Sequence, residues 1–253
     1  MKTFSTIFFI SMLAVLSACG GGGSSSAPAT NSPAQGLWNG TTNTNRTISA
    51  LVLGDGTYYV LYTVANNAAV IDGFSQGSGS ATASPGTFTS SNLVDFNFAG
   101  LGVNSATLSG SYTAKQSFNG TISYTGGTST TFNSTYDTQY DTVPSLATLA
   151  GTFTGTAMVI SIGNVPNTVI TISSSGAISS SSNGCTVTGS ASPSSGGNAY
   201  NISMSFAATG CAAAVSGQTL TGTVFYSSGA RTMYVFAPNA ARTGGVFFVG
   251  TKP

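Results

Sequence analysis

Short stretches of alternating apolar and polar residues run through the chain from Gly36 onward. The clearest is YNISMSF at 200–206, in which every second residue is apolar, and 94–98, 118–124 and 220–226 behave similarly. A period of two is typical of a β-strand with one face buried and one face in water. Because no stretch shows a convincing 3.6-residue apolar period, the sequence predicts an all-β protein.

Turn signals separate these stretches, at Asp55-Gly56, Asn183-Gly184, SPG at 84–86 and SGG at 195–197. Neighbouring strands joined by short turns form an antiparallel meander. In the second half of the chain the predicted strands are 151–159, 168–173, 176–181, 185–192, 199–206, 219–226, 231–236 and 245–250.

The chain also repeats itself. GLWNGT at 36–41 matches GTFTGT at 151–156, and TLSG at 107–110 matches TLTG at 219–222. GSA followed by a proline occurs at 79–85 and at 189–193, and Phe98 corresponds to Phe206. The nearly constant offset predicts a duplicated β unit, with the join near residues 136–150.

Each half therefore holds about eight strands, and an open sheet of that width would leave two edges exposed. Closure into an up-and-down barrel removes both edges, with Trp38 or Phe153 filling one end of its barrel. The layout is similar to calycin-type (lipocalin-like) barrels and to surface lipoproteins with two barrel lobes. We predict barrel lobes at 36–140 and 141–253, and a pair of β-sandwiches is the alternative that strand counting leaves open.

The first residues have a different pattern. A basic start is followed by an apolar run from about Phe8 to Val15, too short to span a bilayer as a helix and typical of a secretory signal peptide. Leu16-Ser17-Ala18-Cys19 then resembles the lipobox of bacterial lipoproteins. The resemblance implies that residues 1–18 are removed and that Cys19 carries acyl chains, and two or more such chains hold a protein stably on a membrane.

The residues after Cys19 indicate how the protein is tethered. In Gram-negative lipoproteins an aspartate directly after the cysteine favours the inner membrane, and Gly20 stands there instead, so the resemblance implies the outer membrane. Residues 19–35 are rich in Gly, Ser and Pro, a composition typical of a linker, and we expect no structure in them.

The composition excludes several functions. Only 4% of the residues are charged, and His and Glu do not occur. A Ser-His-Asp triad, a Cys-His dyad and a His-ligated zinc site are therefore unavailable. Without residues 1–18 the chain has five basic and five acidic residues, and this balance argues against a nucleic-acid partner.

With Cys19 lipidated, Cys185 and Cys211 remain as a pair in an oxidising compartment, which predicts a disulfide. Two cysteines without histidine are a poor metal site, so we expect neither a metal nor a cofactor.

Few residues are candidates for chemistry. Arg231 and Arg242 lie in or between the last two predicted strands and could orient an anionic ligand at a barrel mouth, although an ordinary surface arginine is the commoner case.

Among the aspartates, Asp55 falls in a turn and Asp95 on the polar face of a strand, while Asp137 and Asp141 suit caps of the inter-lobe segment better than a calcium site. One set of aromatic residues could line a ligand cavity, but filling a barrel interior fits it better: Tyr58, Tyr59, Tyr62, Phe74 and Phe88.

Together these patterns predict a lipid-anchored envelope β protein with a non-catalytic structural or binding role. The expected partners are the membrane, through the N-terminal lipid, and a partner or host protein. A barrel that carries a small apolar ligand is the second hypothesis, and it requires a cavity of several hundred Å³. An Asp-based enzyme is the third and the weakest, because nothing in the sequence points to a paired-carboxylate cleft.

Overall fold

The computed structural model describes residues 32–100 and 102–253. The predicted signal peptide, the predicted lipidation site Cys19 and the predicted linker as far as residue 31 lie outside the described residues.

The first barrel is built from β1 to β9. Their bounds are β1 Gly36–Thr42, β2 Thr47–Val52, β3 Thr57–Val64, β4 Asn67–Ser78, β5 Ser80–Ala81, β6 Gly86–Asn97, β7 Gly102–Thr113, β8 Ser117–Tyr124 and β9 Ser129–Asp137. All pairings are antiparallel, and β1 closes the ring against β9, with Leu37 opposite Asp137. The short β5 continues the line of β4, since both pair with β6, so the wall consists of eight strands plus this extension.

The second barrel is built from β10 to β17. Their bounds are β10 Gly151–Val159, β11 Gly163–Ile172, β12 Ala177–Ser182, β13 Cys185–Pro193, β14 Tyr200–Phe206, β15 Thr219–Ser227, β16 Thr232–Pro238 and β17 Gly245–Thr251. Each strand pairs with the next, and β10 closes the barrel against β17, with Thr154 opposite Thr251. Two closed antiparallel barrels confirm the predicted fold class, and the β-sandwich alternative is wrong.

The repeated sequence motifs occupy equivalent places in the two barrels. The motifs at 36–41 and 151–156 begin β1 and β10, and those at 107–110 and 219–222 lie in β7 and β15. The largest difference from the predicted strands is β11, which begins at Gly163 and not at residue 168. Pro166 and Asn167 break the alternation there, and Asn167 has a φ of 57°. These two residues form a bulge in β11 opposite Thr156, and beyond the bulge Val165 pairs with Ala157.

Both barrel interiors are filled by apolar side chains over most of their length. In the first barrel Trp38 is fully buried, packs edge-on against Phe118 at 5.7 Å, and donates its indole N–H to the Ala34 carbonyl at 3.1 Å. Phe153 takes the equivalent place in the second barrel, where it packs against Tyr226 at 5.8 Å. These two residues close the ends at which β1 and β10 begin, as predicted.

A third apolar cluster lies between the barrels. Side chains on the outer surface of β3, β4 and β6 meet side chains on the outer surface of β15, β16 and β17. Phe74 stands at its centre, with ring centroids 5.6 Å from Phe236 and 6.1 Å from Phe247. The expectation that the outward faces of the strands meet water is therefore wrong for this side of each barrel.

The connecting segments are short and packed. Between the barrels lie a 3-10 helix, Thr138–Asp141, and a one-turn helix, α1, Leu146–Leu149, whose Leu149 is fully buried. Ser32 to Gln35, placed in the linker by composition, form a turn on the first barrel, where the Ser32 N–H donates to the Gly54 carbonyl. Within the described part of the chain, no helix has the length and apolar character that crossing a membrane would require.

Candidate functional site

The first barrel is open at the end opposite Trp38. The turns β1–β2, β3–β4, β6–β7 and β8–β9 meet there and surround a cavity of about 490 Å³, which we call the mouth. Its floor is apolar and consists of Ile48, Val60 and Ile122. Its walls are polar and aromatic: Thr42, Thr44, Arg46, Tyr62, Ser75, Asp95, Asn97, Asn104, Ser105, Tyr124, Thr125, Thr128 and Thr130.

The equivalent end of the second barrel is covered. There the connection β14–β15 spans residues 207–218, and Val215, 3% exposed, is buried in the same cluster as the barrel interior. A disulfide between Cys185 and Cys211 ties this loop to the start of β13, which agrees with the sequence prediction. In the first barrel the corresponding strands β6 and β7 are separated only by residues 98–101. The difference in loop length explains why the first mouth is accessible.

Arg46 carries the positive charge of the mouth. It lies just before β2, and its Nη1 donates to the Thr63 carbonyl at 2.8 Å and to the carboxylate of Asp72. Its guanidinium carbon lies 5.4 Å from the centroid of the Tyr62 ring, within the range of a cation–π contact. Asp72 is only 6% exposed, so the ion pair is largely withdrawn from water on the Asp72 side.

Asp95 supplies a second carboxylate, deeper in the mouth. It lies in β6 with 3% exposure, and the Ser75 hydroxyl donates to it at 3.2 Å. Burial raises the pKa of Asp95, while the neighbouring Tyr62, Ser75 and Asn104 side chains and the charge of Arg46 oppose that rise. The pKa of Asp95 rises on balance, because desolvation disfavours the charged carboxylate more than these contacts favour it.

The Tyr62 hydroxyl is a buried polar group without a normal hydrogen bond among the described residues. It lies beside Asp95 and favours its ionised form, but the geometry falls short of a hydrogen bond. Gly73 on β4 leaves room for the Tyr62 hydroxyl, since a Cβ at residue 73 would stand 2.2 Å from it. Burial and the nearby Asp95 raise the pKa of Tyr62, so it remains a neutral donor.

The five aromatic residues selected from the sequence divide into three groups. Tyr58 and Phe88 fill the interior of the first barrel, as expected, and pack edge-on at 5.6 Å. Tyr62 lines the mouth, whereas Tyr59 and Phe74 lie outside the barrel in the inter-barrel cluster.

Arg231 and Arg242 are not brought together. Arg231 is exposed in the turn β15–β16, and Arg242 lies in the turn β16–β17 at the opposite end of the second barrel. The Nη2 of Arg242 donates to the carbonyls of Gln76 and Asn92 in the first barrel, so it connects the two lobes. Contact of these arginines with an anion stays a prediction, and the two cannot share one mouth.

The remaining aspartates have structural partners. Asp55 accepts from the Thr57 N–H in its turn, and Asp137 caps the 3-10 helix by accepting from the Gln139 N–H, both at 2.9 Å. Asp141 accepts from Lys115 Nζ at 2.7 Å and from the Tyr136 hydroxyl at 2.9 Å. Over residues 32–100 and 102–253 no three His, Cys, Asp or Glu side chains cluster as metal ligands would.

A second, smaller cavity of about 160 Å³ lies between the barrels. Its carboxylate, Asp137, already accepts from Asn39 Nδ2 at 2.7 Å and from Gln139. The Gln139 Oε1 in turn accepts from the Ser227 hydroxyl at 2.8 Å. Because its polar groups are paired and its volume is small, the mouth of the first barrel is the stronger candidate site.

The sequence reasoning missed Asp95, Asn97 and Asn104 as site residues. It read the apolar residues of 94–98 as the inward face, but Phe96 and Phe98 lie in the inter-barrel cluster and Asp95 and Asn97 line the mouth. One signal was available, because few charges occur in this chain and a charge on an alternating strand therefore stands out.

The burial of Asp95 leads to a prediction about pH. A carboxyl group whose pKa is higher in the folded than in the unfolded protein weakens the fold as pH rises above the ordinary value of about 4. Replacing Asp95 by Asn should therefore raise the free energy of unfolding relative to wild type by roughly 1–3 kcal/mol at pH 7, the scale for a poorly paired buried polar group, and by much less at pH 3. Urea denaturation across this range measures the difference.

The side chains that face Asp95 are the same in the wild type and in Asp95→Asn: Arg46, Asp72, Tyr62, Tyr124, Ser75 and Asn104. The matched control is Asp55→Asn, which changes an exposed turn carboxylate. An equal response of the two variants to pH would contradict the assignment.

Comparison with known proteins finds no matching family model and no matching curated protein. The solved structures that are similar to the chain include intact Ap-TbpB with its N and C lobes, at 9% identity and a TM-score of 0.31. They also include a mutant of the vaccine antigen Transferrin Binding Protein B from Haemophilus parasuis Hp5, at 8% identity and a TM-score of 0.30. Each match covers 83% of this chain and 64% of the other. Similarity this low carries no argument about what the chain binds.

Proposed function

We propose that this chain is a non-catalytic binding protein of the bacterial cell envelope, and that it holds a small ligand in the mouth of its first barrel. One observation carries the proposal: an open cavity of about 490 Å³ that gathers Arg46 and Asp95 in a chain with only 4% charged residues. Cavities of this volume are usual for small ligands. Charged groups are costly to bury, and such groups converging in a cleft mark candidate binding sites.

The residues that line the mouth also change the kind of ligand that was expected from the sequence. A cavity of several hundred Å³ is what the apolar-carrier hypothesis required, but only the floor of the mouth is apolar. A purely apolar ligand would cover the polar walls without offering them a hydrogen bond, and buried Asp95 would keep only the one from Ser75. The ligand that fits has one apolar side and several hydrogen-bonding groups.

The binding role is tested with two tryptophan variants on β9. Thr130 faces into the mouth, and Thr131, the next residue, faces outward and is exposed. We expect Thr130→Trp to fill part of the mouth and Thr131→Trp to leave it open. Thermal-shift screening of a chemically diverse library should then find compounds that stabilise wild type and Thr131→Trp but not Thr130→Trp. If every stabilising compound acts equally on all three proteins, the mouth is not the binding site.

The anchor belongs to the same proposal and rests on the Leu16-Ser17-Ala18-Cys19 motif. We expect the protein isolated from bacterial membranes to begin at Cys19 and to carry acyl chains on that residue. Intact-mass measurement checks this, and a Cys19→Ala variant, which has no thiol to acylate, is the control. An unmodified amine at Cys19 would contradict the anchoring.

A further inference from the structure

We propose that the ligand of the first-barrel mouth is a neutral sugar unit. This inference deepens the proposed function and rests on it, because it assumes that the mouth is a binding site. Three features of the mouth lead to it: its charge balance, its hydrogen-bonding groups and its apolar floor.

The charge balance favours a neutral ligand. Arg46 and Asp72 form an ion pair and offset each other, which leaves Asp95 as the remaining ionisable carboxylate of the wall. An anionic ligand would have to approach this buried carboxylate. A cationic ligand gains little from Asp95, because burial disfavours the charged form of this carboxyl group, and Arg46 lies on the same wall over the ring of Tyr62. Like charges placed together in a poorly solvated site repel strongly, so a neutral molecule meets the smallest electrostatic cost.

The hydrogen-bonding groups favour a ligand with several hydroxyls. The carboxyl oxygens of Asp95 accept, the amide of Asn104 donates and accepts, and the amide of Asn97 donates, since its Oδ1 already accepts from the Gly100 N–H. A rim of threonine and serine hydroxyls surrounds them. Hydroxyl groups can match every one of these, since each hydroxyl donates once and accepts twice. Asp95 offers two carboxyl oxygens at the buried end of this set, so it should contribute most to binding.

The floor favours a ring with an apolar face. Ile48, Val60 and Ile122 come from three different strands and form a surface without hydrogen-bonding groups. Below them a small void of about 30 Å³ is lined by the apolar interior of the barrel. A sugar ring presents C–H groups on its face and hydroxyls at its edge, and it can cover this floor while its edge bonds to the walls. A linear polar molecule could not do both.

The test is isothermal titration calorimetry of the purified full chain with probes that share one ring. The probes are glucose, galactose and N-acetylglucosamine as neutral sugars, glucuronate as the anionic analogue, glucosamine as the cationic analogue, and cyclohexanol as the apolar analogue. We expect at least one neutral sugar to bind at least tenfold more tightly than the other three analogues. Asp95→Asn and Asn104→Ala should each weaken that binding, Asp95→Asn by tenfold or more. Thr130→Trp should abolish it and Thr131→Trp should leave it unchanged.

The outcomes separate the sugar inference from the proposed function. If glucuronate, glucosamine or cyclohexanol binds most tightly and Thr130→Trp abolishes that binding, the sugar inference is wrong. The proposal that the mouth binds a ligand would then still hold. Failure of every probe to bind wild type would overturn the sugar inference alone, because the library screen decides the binding role. A sugar that binds Thr130→Trp as well as wild type binds elsewhere, which also overturns it. Where N-acetylglucosamine binds, tighter binding by chitotetraose indicates the end of a glycan, and equal binding indicates a free sugar.

Discussion

Replacing Phe74 by alanine is expected to lower the free energy of unfolding by about 3–5 kcal/mol, the usual cost of removing a buried aromatic ring. Phe74 is fully buried although it lies on the outer surface of its barrel. Its ring stacks on Phe96 at 4.6 Å within the first barrel and contacts Phe236 and Phe247 of the second. The loss therefore falls on the contact between the lobes. Urea denaturation followed by circular dichroism measures it.

The same experiment shows whether the lobes unfold together. Because both barrels share the inter-barrel cluster, we expect one transition for wild type, and for Phe74→Ala a transition that broadens or divides. Val143→Ala is the control, since Val143 is 84% exposed and surface substitutions usually change stability by less than about 0.5 kcal/mol. A loss below about 1 kcal/mol for Phe74→Ala would mean that the two barrels do not depend on each other for stability.

Removing the disulfide by Cys185→Ser with Cys211→Ser is expected to cost about 3–4 kcal/mol. The bond closes a loop between residues 26 apart in sequence, and the cost follows from the entropy that this constraint removes from the unfolded chain. The loop at 207–218 should also loosen, because Val215 would be held only by apolar contacts and a few backbone hydrogen bonds.

Hydrogen exchange distinguishes these two effects. We expect amide exchange in residues 207–218 of the double variant to accelerate more than exchange in β1 and β9 of the first barrel, which serve as the internal reference. Wild type under a reducing agent should behave like the variant. Unchanged protection of the loop, together with unchanged stability, would show that the loop is held in place without the bond.

The strands of this protein could be predicted from sequence because most of them alternate between side chains that are buried and side chains that are exposed to solvent. In β14 the apolar residues Tyr200, Ile202 and Met204 are buried inside the barrel as the alternation indicates. The disulfide also followed from counting, because only two cysteines remain after Cys19.

The contact between the barrels was not predicted, because the alternation rule assumes that only one face of a strand is covered. Three strands are apolar without alternation: YYVLY at 58–62 in β3, MYVFA at 233–237 in β16 and VFFV at 246–249 in β17. Such runs are typical of strands covered on both faces. These three runs could have indicated the contact between the barrels. The aromatic residues at 58–62 were instead predicted to fill the interior of a barrel. The mouth was missed for the same reason, since its residues alternate with those of the contact.

The turn at Ser32–Gln35 sets the end of the first barrel at which the preceding chain joins it. This turn packs beside Gly54, at the end that Trp38 closes, while the mouth opens at the other end. Ser32 lies thirteen positions after Cys19, and even a fully stretched chain of this length reaches at most about 45 Å. If acyl chains at Cys19 anchor the protein as proposed, the chain that carries them joins the first barrel at the end opposite the mouth. The mouth would then face away from the membrane, toward molecules in the surrounding medium.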